Sequence, residues 1–335
     1  MDRNLLEQTL AARGEAAYRA RQVWERVCAG ASSYDEMSAL PKPLRSELRH
    51  RVPFSTLNLE RRLEARDGTV KALFRTYDGH PVESVLMRYR DGRRSVCIST
   101  QSGCPLQCAF CASGQMGFRR NLSAWEILDQ ALYFRQIEAI NHAALMGMGE
   151  PLMNLEAVLT AVRALPDLGI GHRHTAISTA GWVPGIDRLA AEGLPVRLAL
   201  SLHAPDDELR RTLMPVTARF PIAQVIAACE RFYAQRRRMV FVEYLMLAGV
   251  NDRPAQAQAL ARLLDRKQFK LNLIPYNESG DGRGAFHGSG RPAIDAFREA
   301  LAKAGLEATV RVARGREIEA ACGQLAGTAG TAGRT

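Results

Sequence analysis

From about Ser95 onward the chain alternates short apolar runs with longer amphipathic segments, and this alternation limits the possible folds more tightly than any other feature. Strands are predicted at 95–99, 143–148, 175–178, 196–201, 240–246, 270–274 and 309–312. Helices are predicted between most of them, at 124–138, 155–164, 185–191, 221–234, 255–264 and 293–304. A strand, a helix and another strand in succession lead to parallel pairing with crossover helices. Repetition on this scale predicts an α/β fold, a full or partial (β/α) barrel, with a doubly wound open sheet as the alternative. In either architecture the chemistry is expected at the carboxyl ends of the strands.

The first ninety residues are patterned differently. Leu5, Leu6 and Leu10, then Val23, Trp24 and Val27, suggest short amphipathic helices, broken by residues 32–35 and by the Pro-Lys-Pro at 41–43. Residues 57–87 are strand-like, with a turn signal at Asp78-Gly79. The expected division is therefore an accessory domain of helices and short strands at 1–90, which could contact RNA, a core at 91–326, and a disordered tail at 327–335. With 47% hydrophobic and 24% charged residues, the chain has the balance of a globular protein and not of a disordered one. It has no uncharged apolar run of about 18 residues, and its start lacks the basic and apolar regions of a secretory signal. A cytoplasmic protein with no membrane contact is expected. Lys and Arg number 45 against 35 Asp and Glu, for a net charge of +10. That balance favours polyanionic partners, nucleic acid first, but charge alone does not separate this from simple solubility.

Seven cysteines are present: Cys28, Cys97, Cys104, Cys108, Cys111, Cys229 and Cys322. An odd number is a poor disulfide framework. Cys104, Cys108 and Cys111 lie within eight residues, just after the first strand of the repeating region. Thiolates on so tight a loop suit one soft metal centre. Structural zinc usually takes four ligands, and no fourth Cys or His lies nearby. Three ligands fit an iron–sulfur cluster with one iron left open, while zinc completed from a distant part of the chain is the competing assignment. Cys28 and Cys229 sit in amphipathic helices and are expected to be small buried hydrophobes.

The C-x3-C-x2-C spacing, with Phe110 before the last cysteine, resembles the radical S-adenosylmethionine (SAM) superfamily. The resemblance implies a partial (β/α)6-type TIM barrel, a [4Fe–4S] cluster on Cys104, Cys108 and Cys111, and SAM on the open iron. Gly149 and Glu150 in the Gly147–Pro151 segment, then Ser178, Ser201, Leu202, His203 and Asn277, fall at or just after strand ends. Each alone reads as a cap or turn residue, and together they are expected to line the SAM pocket.

A narrower resemblance is carried by 97–104, the cysteine loop, 117–122, 147–154, 199–204, 213–216, 272–277 and 321–326, in order along nearly the whole chain. These segments are similar to the RlmN/Cfr family of radical SAM RNA methyltransferases. The family resemblance implies that Cys322 carries a methyl group taken from a first SAM, and that a second SAM per turnover yields the radical that activates it. The activated carbon adds to an adenine ring, and Cys97 removes the ring proton and resolves the adduct, ending in a disulfide with Cys322. Glu83 matches the family's proton acceptor. The implied product is 2-methyladenosine in 23S ribosomal RNA at the peptidyl-transferase centre, and beside the anticodon in some transfer RNAs; methylation at carbon 8 is the alternative. The chemistry explains the detour, because carbon 2 of adenine is electrophilic and does not attack a sulfonium methyl, whereas a carbon radical adds to it. An electron donor such as flavodoxin or ferredoxin and a monomeric state are also expected. Arginines at 88, 90, 93 and 94, at 119–120, 210–211 and 236–238, and at 311, 314 and 316 mostly adjoin loops and are expected to meet RNA phosphates.

Overall fold

The computed structural model describes residues 1–278 and 286–325. Three helices come first: α1 (Arg3–Ala12), α2 (Tyr18–Cys28) and α3 (Lys42–Arg51). Three antiparallel strands follow, β1 (Leu57–Glu64), β2 (Val70–Thr76) and β3 (Pro81–Arg88). β4 (Arg94–Cys97) leads into a loop region holding β5 (Gln101–Ser102), α4 (Ala112–Gln115) and β6 (Arg120–Asn121). The alternating region then runs α5 (Ala124–Ile137), β7 (His142–Leu145), α6 (Leu155–Ala164), β8 (Thr175–Thr179), α7 (Val183–Ala191) and β9 (Arg197–Ser201). It ends with α8 (Asp207–Leu213), α9 (Ile222–Arg236), β10 (Val240–Met246), α10 (Pro254–Leu263), β11 (Phe269–Pro275), α11 (Arg291–Lys303) and β12 (Ala308–Val310).

One ten-stranded sheet runs β1-β2-β3-β4-β7-β8-β9-β10-β11-β12. From β4 to β12 each neighbour is parallel, as the crossover helices require. This is a partial barrel, since β4 pairs with β3 and not with β12. The division expected at residue 90 falls between β3 and β4, which are hydrogen-bonded neighbours with Val85 opposite Cys97. The helices before β1 share the main core rather than forming their own. Trp24 packs edge-on against Trp125 of α5 at 5.9 Å and donates its indole N–H to Asp167 at 2.7 Å. The tail at 327–335 and Ala326 lie outside the described residues.

Strand periodicity shapes the interior. In β8 the odd residues Thr175, Ile177 and Thr179 are buried under the helices, whereas Ala176 and Ser178 on the other face are only half-buried. β7 repeats this, with Ala143 and Leu145 buried and His142 and Ala144 half-buried. A packed (β/α) barrel fills its centre with bulky branched side chains. Here the middle of the barrel carries Ala144 and Ala176, and a hollow remains.

The open edge is closed by the segment after β12. Lys71 of β2 donates to the Glu319 carbonyl at 3.0 Å, and Asp67 accepts from the Gly315 N–H at 3.1 Å. Farther along, the Gly323 carbonyl accepts from the Ala112 N–H at 2.9 Å. The carboxy-terminal segment is thus strung between the β1–β3 strands and the cysteine loop, which fixes Cys322 between them.

Candidate active site

The cysteine loop follows β4. Its entry needs Gly103, at φ +74°, because a side chain there would meet the Gly117 carbonyl oxygen at 1.8 Å. Cys104 is buried, and Cys108 and Cys111 are half-buried. Burial pushes the Cys104 thiol up to about 12 and raises Cys108 well above its ordinary value, with the neighbouring thiols adding to both. A bound cation would reverse this and draw the protons off. Among the described residues no three His, Cys, Asp or Glu side chains converge on a single-ion site. Three thiols spread along one loop fit a cluster in which each binds a separate iron better than they fit a mononuclear zinc centre.

A cavity of about 500 Å³ occupies the hollow barrel. Cys97, Cys111 and Cys322 all line it, and so does Asn277. Cys322 is exposed to this space while protein surrounds it. Burial raises its thiol above the ordinary value, and the Arg311 guanidinium opposes that rise. Burial, with Cys322 next, pushes the Cys97 thiol up to about 12. Arg311 is held by Glu243, Nη2 to Oε1 at 2.6 Å, and Asn272 donates to the same oxygen at 3.1 Å. Glu243, Asn272 and Arg311 are not adjacent in sequence; the parallel register of β10, β11 and the start of the closing segment brings them together. The period-2 pattern of Thr309 and Arg311 was the signal available for finding Arg311 beside the cavity.

Of the other predicted residues, Gly149, Glu150, Ser178, Ser201, Leu202 and His203 do not line this cavity. Glu150 is buried, with its carboxylate accepting from the Leu152 N–H at 3.1 Å and the Ala180 N–H at 2.8 Å. Burial outweighs these bonds and raises it to about 7. Gly149, at φ +100°, leaves no room for a side chain, which would strike Gln101 Cβ at 2.6 Å. Its backbone lies tight against the Gln101 side chain. Ser178 donates to the Leu145 carbonyl at 2.7 Å. Both backbone groups of Leu202 are engaged: its N–H by the Glu243 carbonyl and its C=O by Arg210. Ser201 gives its carbonyl to Arg210 at 3.1 Å. His203 sits at φ +61°, accepts the Leu245 N–H on Nδ1 at 3.1 Å and meets Phe110 edge-on at 4.9 Å. Burial, with Arg210 next, lowers His203 to about 3, so the ring is neutral and joins the cysteine loop to β10. Asn277 donates to the Pro275 carbonyl at 3.2 Å, and its Oδ1 is buried with no hydrogen-bond partner among the described residues. That orphaned acceptor on the cavity wall suits a ligand carrying N–H or O–H groups.

Glu83 is fully buried and pairs with Lys71 at 2.9 Å, so it is not a solvated edge-strand carboxylate. It does not line the cavity, but its partner Lys71 also grips the segment carrying Cys322.

Several arginines expected on RNA have structural partners instead. Arg210 is fully buried and donates to the Leu202, Ala180 and Ser201 carbonyls and to Thr217. Arg120 bridges Asp78 and Glu126, both at 2.7 Å. Arg88 and Arg94 converge on Glu138, and Arg311 is taken by Glu243. Neighbouring positions in sequence project to different sides, and a run of arginines does not show which of them carboxylates or carbonyls have captured.

Residues 98–260 match the Radical SAM superfamily. A curated relative from Gemmatimonas aurantiaca, named "Probable dual-specificity RNA methyltransferase RlmN", is 48% identical over 331 residues, covering 96% of this chain and 89% of its own length. One of the same name from Thermus thermophilus is 44% identical over 321 residues, covering 93% and 90%. The crystal structure of a radical SAM methyltransferase from Sphaerobacter thermophilus superposes with a TM-score of 0.92 at 43% identity, covering 98% of each chain. With the hollow barrel and the three-thiol loop, likeness of this extent means that the chain belongs to the RlmN family of radical SAM RNA methyltransferases.

Proposed function

We propose that this chain methylates carbon 2 of an adenosine in 23S ribosomal RNA, and of an adenosine beside the anticodon in transfer RNA, through a sulfur carrier at Cys322. The observation that supports this reading most is that Cys322 and Cys97 face one cavity, which Cys111 of the cysteine loop also reaches. Family membership implies a [4Fe–4S] cluster and SAM, and Cys104, Cys108 and Cys111 are the donors that fit the cluster. Bound there, the pair supplies hydrogen-atom abstraction from an unactivated methyl group.

The remaining roles belong to this chain's own side chains. Cys322 takes a methyl group from one SAM, used as substrate, and becomes S-methylcysteine; a second SAM is consumed in each turnover. The nucleophile is the thiolate. Arg311, positioned by Glu243 and Asn272, favours that form against the cost of burial. After the carrier carbon has joined the adenine ring, the adduct gives up the ring proton and its odd electron, which would return to the cluster. Cys97 then attacks the Cys322 sulfur, the S–S bond forms as the C–S bond breaks, and the freed carbon takes a proton to complete the methyl group, leaving a disulfide. Cys97, on the cavity wall, removes the ring proton first in this scheme; Glu83, buried on Lys71 beneath the carrier segment and off that wall, receives it in turn. Asn277 and Glu150 offer acceptors for the hydroxyl and ammonium groups of SAM. Electrons come from a flavodoxin or ferredoxin, and the chain acts as a monomer.

Anaerobic turnover with ribosomal and transfer RNA, followed by nucleoside mass spectrometry, tests the reading. 2-Methyladenosine from the wild type and none from Cys322→Ala is the expected result. 8-Methyladenosine, or methylated RNA from Cys322→Ala, overturns it.

A further inference from the structure

The cavity has a second end that the chemistry above does not use. It reaches the amino ends of the parallel strands, where His142, His174, Arg197 and Phe241 line it. His142 and His174 stack at 4.6 Å with their planes 24° apart. The Arg197 guanidinium lies over the Phe241 ring at 5.8 Å. Arg173 precedes β8 and Arg238 precedes β10, on the same rim.

The charge at this rim is unbalanced. Among the described residues, no carboxylate pairs with Arg173, Arg197 or Arg238, whereas Arg88, Arg93, Arg94, Arg120, Arg311 and Arg314 each have one. Arg238 feels the other two: burial, then Arg197 and Arg173, lowers its guanidinium below the ordinary value. Asp91, paired with Arg93 at 2.8 Å, is the carboxylate felt at His142, and none is bonded to these three guanidiniums among the described residues. Like charges crowded with so little counter-charge raise the energy of the free protein, and an arriving polyanion relieves it. Flat rings beside guanidiniums are the surface that a single-stranded nucleic acid uses, with bases on the rings and phosphates on the arginines. An unstacked nucleotide is also what a buried site requires.

We propose that the substrate RNA lies across this amino-end rim, with its phosphates on Arg173, Arg197 and Arg238, and that the target adenine rises through the alanine-lined hollow to Cys322. The proposal rests on the RNA-methylating reading and adds the route of entry to it. An acidic electron-donor protein is the other polyanion to consider. The rim opens on the barrel end opposite the cysteine loop, which favours RNA.

The test measures binding of a fluorescein-labelled RNA stem-loop, with an unpaired adenosine in its loop, to the cluster-loaded protein across a range of KCl concentrations. Arg173→Gln/Arg238→Gln is expected to weaken binding roughly tenfold and to lower the log–log salt slope by about 1.5, at roughly 0.7–0.9 per lost phosphate contact. Arg197→Lys keeps its charge and should keep the slope. Arg262→Gln, on the outer helix α10, should behave as the wild type. The double variant should melt no lower than the wild type, since it relieves repulsion; a purely structural role would lower the melt. An unchanged salt slope in the double variant, or a lower melting temperature, overturns the proposal. So does normal RNA binding with loss of reduction by flavodoxin, which would assign the rim to the donor. A wild type that neither binds nor methylates the RNA defeats the functional reading itself, which separates the two failures.

Discussion

The two ends of the barrel use the same side chains in opposite ways. At the carboxyl end, Arg210 is sealed inside the protein and saturated by three carbonyls and a hydroxyl, while Glu150 and His203 are buried and bonded to backbone N–H groups. At the amino end, Arg173, Arg197 and Arg238 have no acidic partner among the described residues, and His142 and His174 stack at the mouth of the cavity. One end is a rigid internal scaffold that holds the cysteine loop. The other stores uncompensated charge. An arginine's role is therefore decided by what captures its five donors, and the sequence does not display that.

The largest expected effect lies at the sealed end. Arg210→Met leaves the three carbonyls without their donor and should cost roughly 3–5 kcal/mol in urea unfolding. A loss below about 1 kcal/mol would erase the contrast between the ends.

The pH dependence of stability should carry two opposite signs from this same end. His203 has its folded value lowered to about 3 from an ordinary 6.5, so its contribution is complete above pH 6.5 and is lost as pH falls toward 3. That amounts to at most roughly 5 kcal/mol. Glu150 is raised to about 7 from 4.5, so its contribution is present below pH 4.5 and disappears as pH rises through 7. In thermal melts of the ligand-free protein, His203→Asn should flatten the acid limb. Glu150→Gln should melt higher than the wild type at pH 8 and equal to it at pH 4. Parallel shifts at both pH values would contradict these assignments.

A smaller effect on stability but a large one on turnover is expected in between. Ala176→Leu fills the hollow and should change stability by no more than about 1 kcal/mol, because the space is open. RNA methylation should fall more than tenfold while Cys322 still acquires its methyl group. Equal loss of both steps would show that the hollow is not the path of the base.

Much of the barrel was legible from residue order. β10 and α6 match the expected 240–246 and 155–164, because an apolar run and an amphipathic helix each advertise their period locally. The three-thiol loop was equally visible, since its cysteines lie within a few residues of one another. What escaped depends on partners distant in sequence. The β1–β3 strands join the barrel sheet through the pairing of β3 with β4, and no local pattern announces a neighbour. The Lys71–Glu83 pair and the Glu243–Arg311 pair bridge separate elements, and neither residue of either pair looks unusual in its own segment. Arg210 and Arg211 read as one basic patch, yet Arg210 is fully buried and Arg211 is exposed.

The most direct test of the account is peptide mass spectrometry of Cys322 after anaerobic incubation with SAM carrying a deuterated methyl group, in the wild type and in Cys97→Ala supplied with RNA. The account predicts one labelled methyl group on Cys322 before RNA is added, and an RNA adduct at Cys322 that persists in the variant. Label on another residue, or free methylated RNA released at the normal rate by Cys97→Ala, would contradict it.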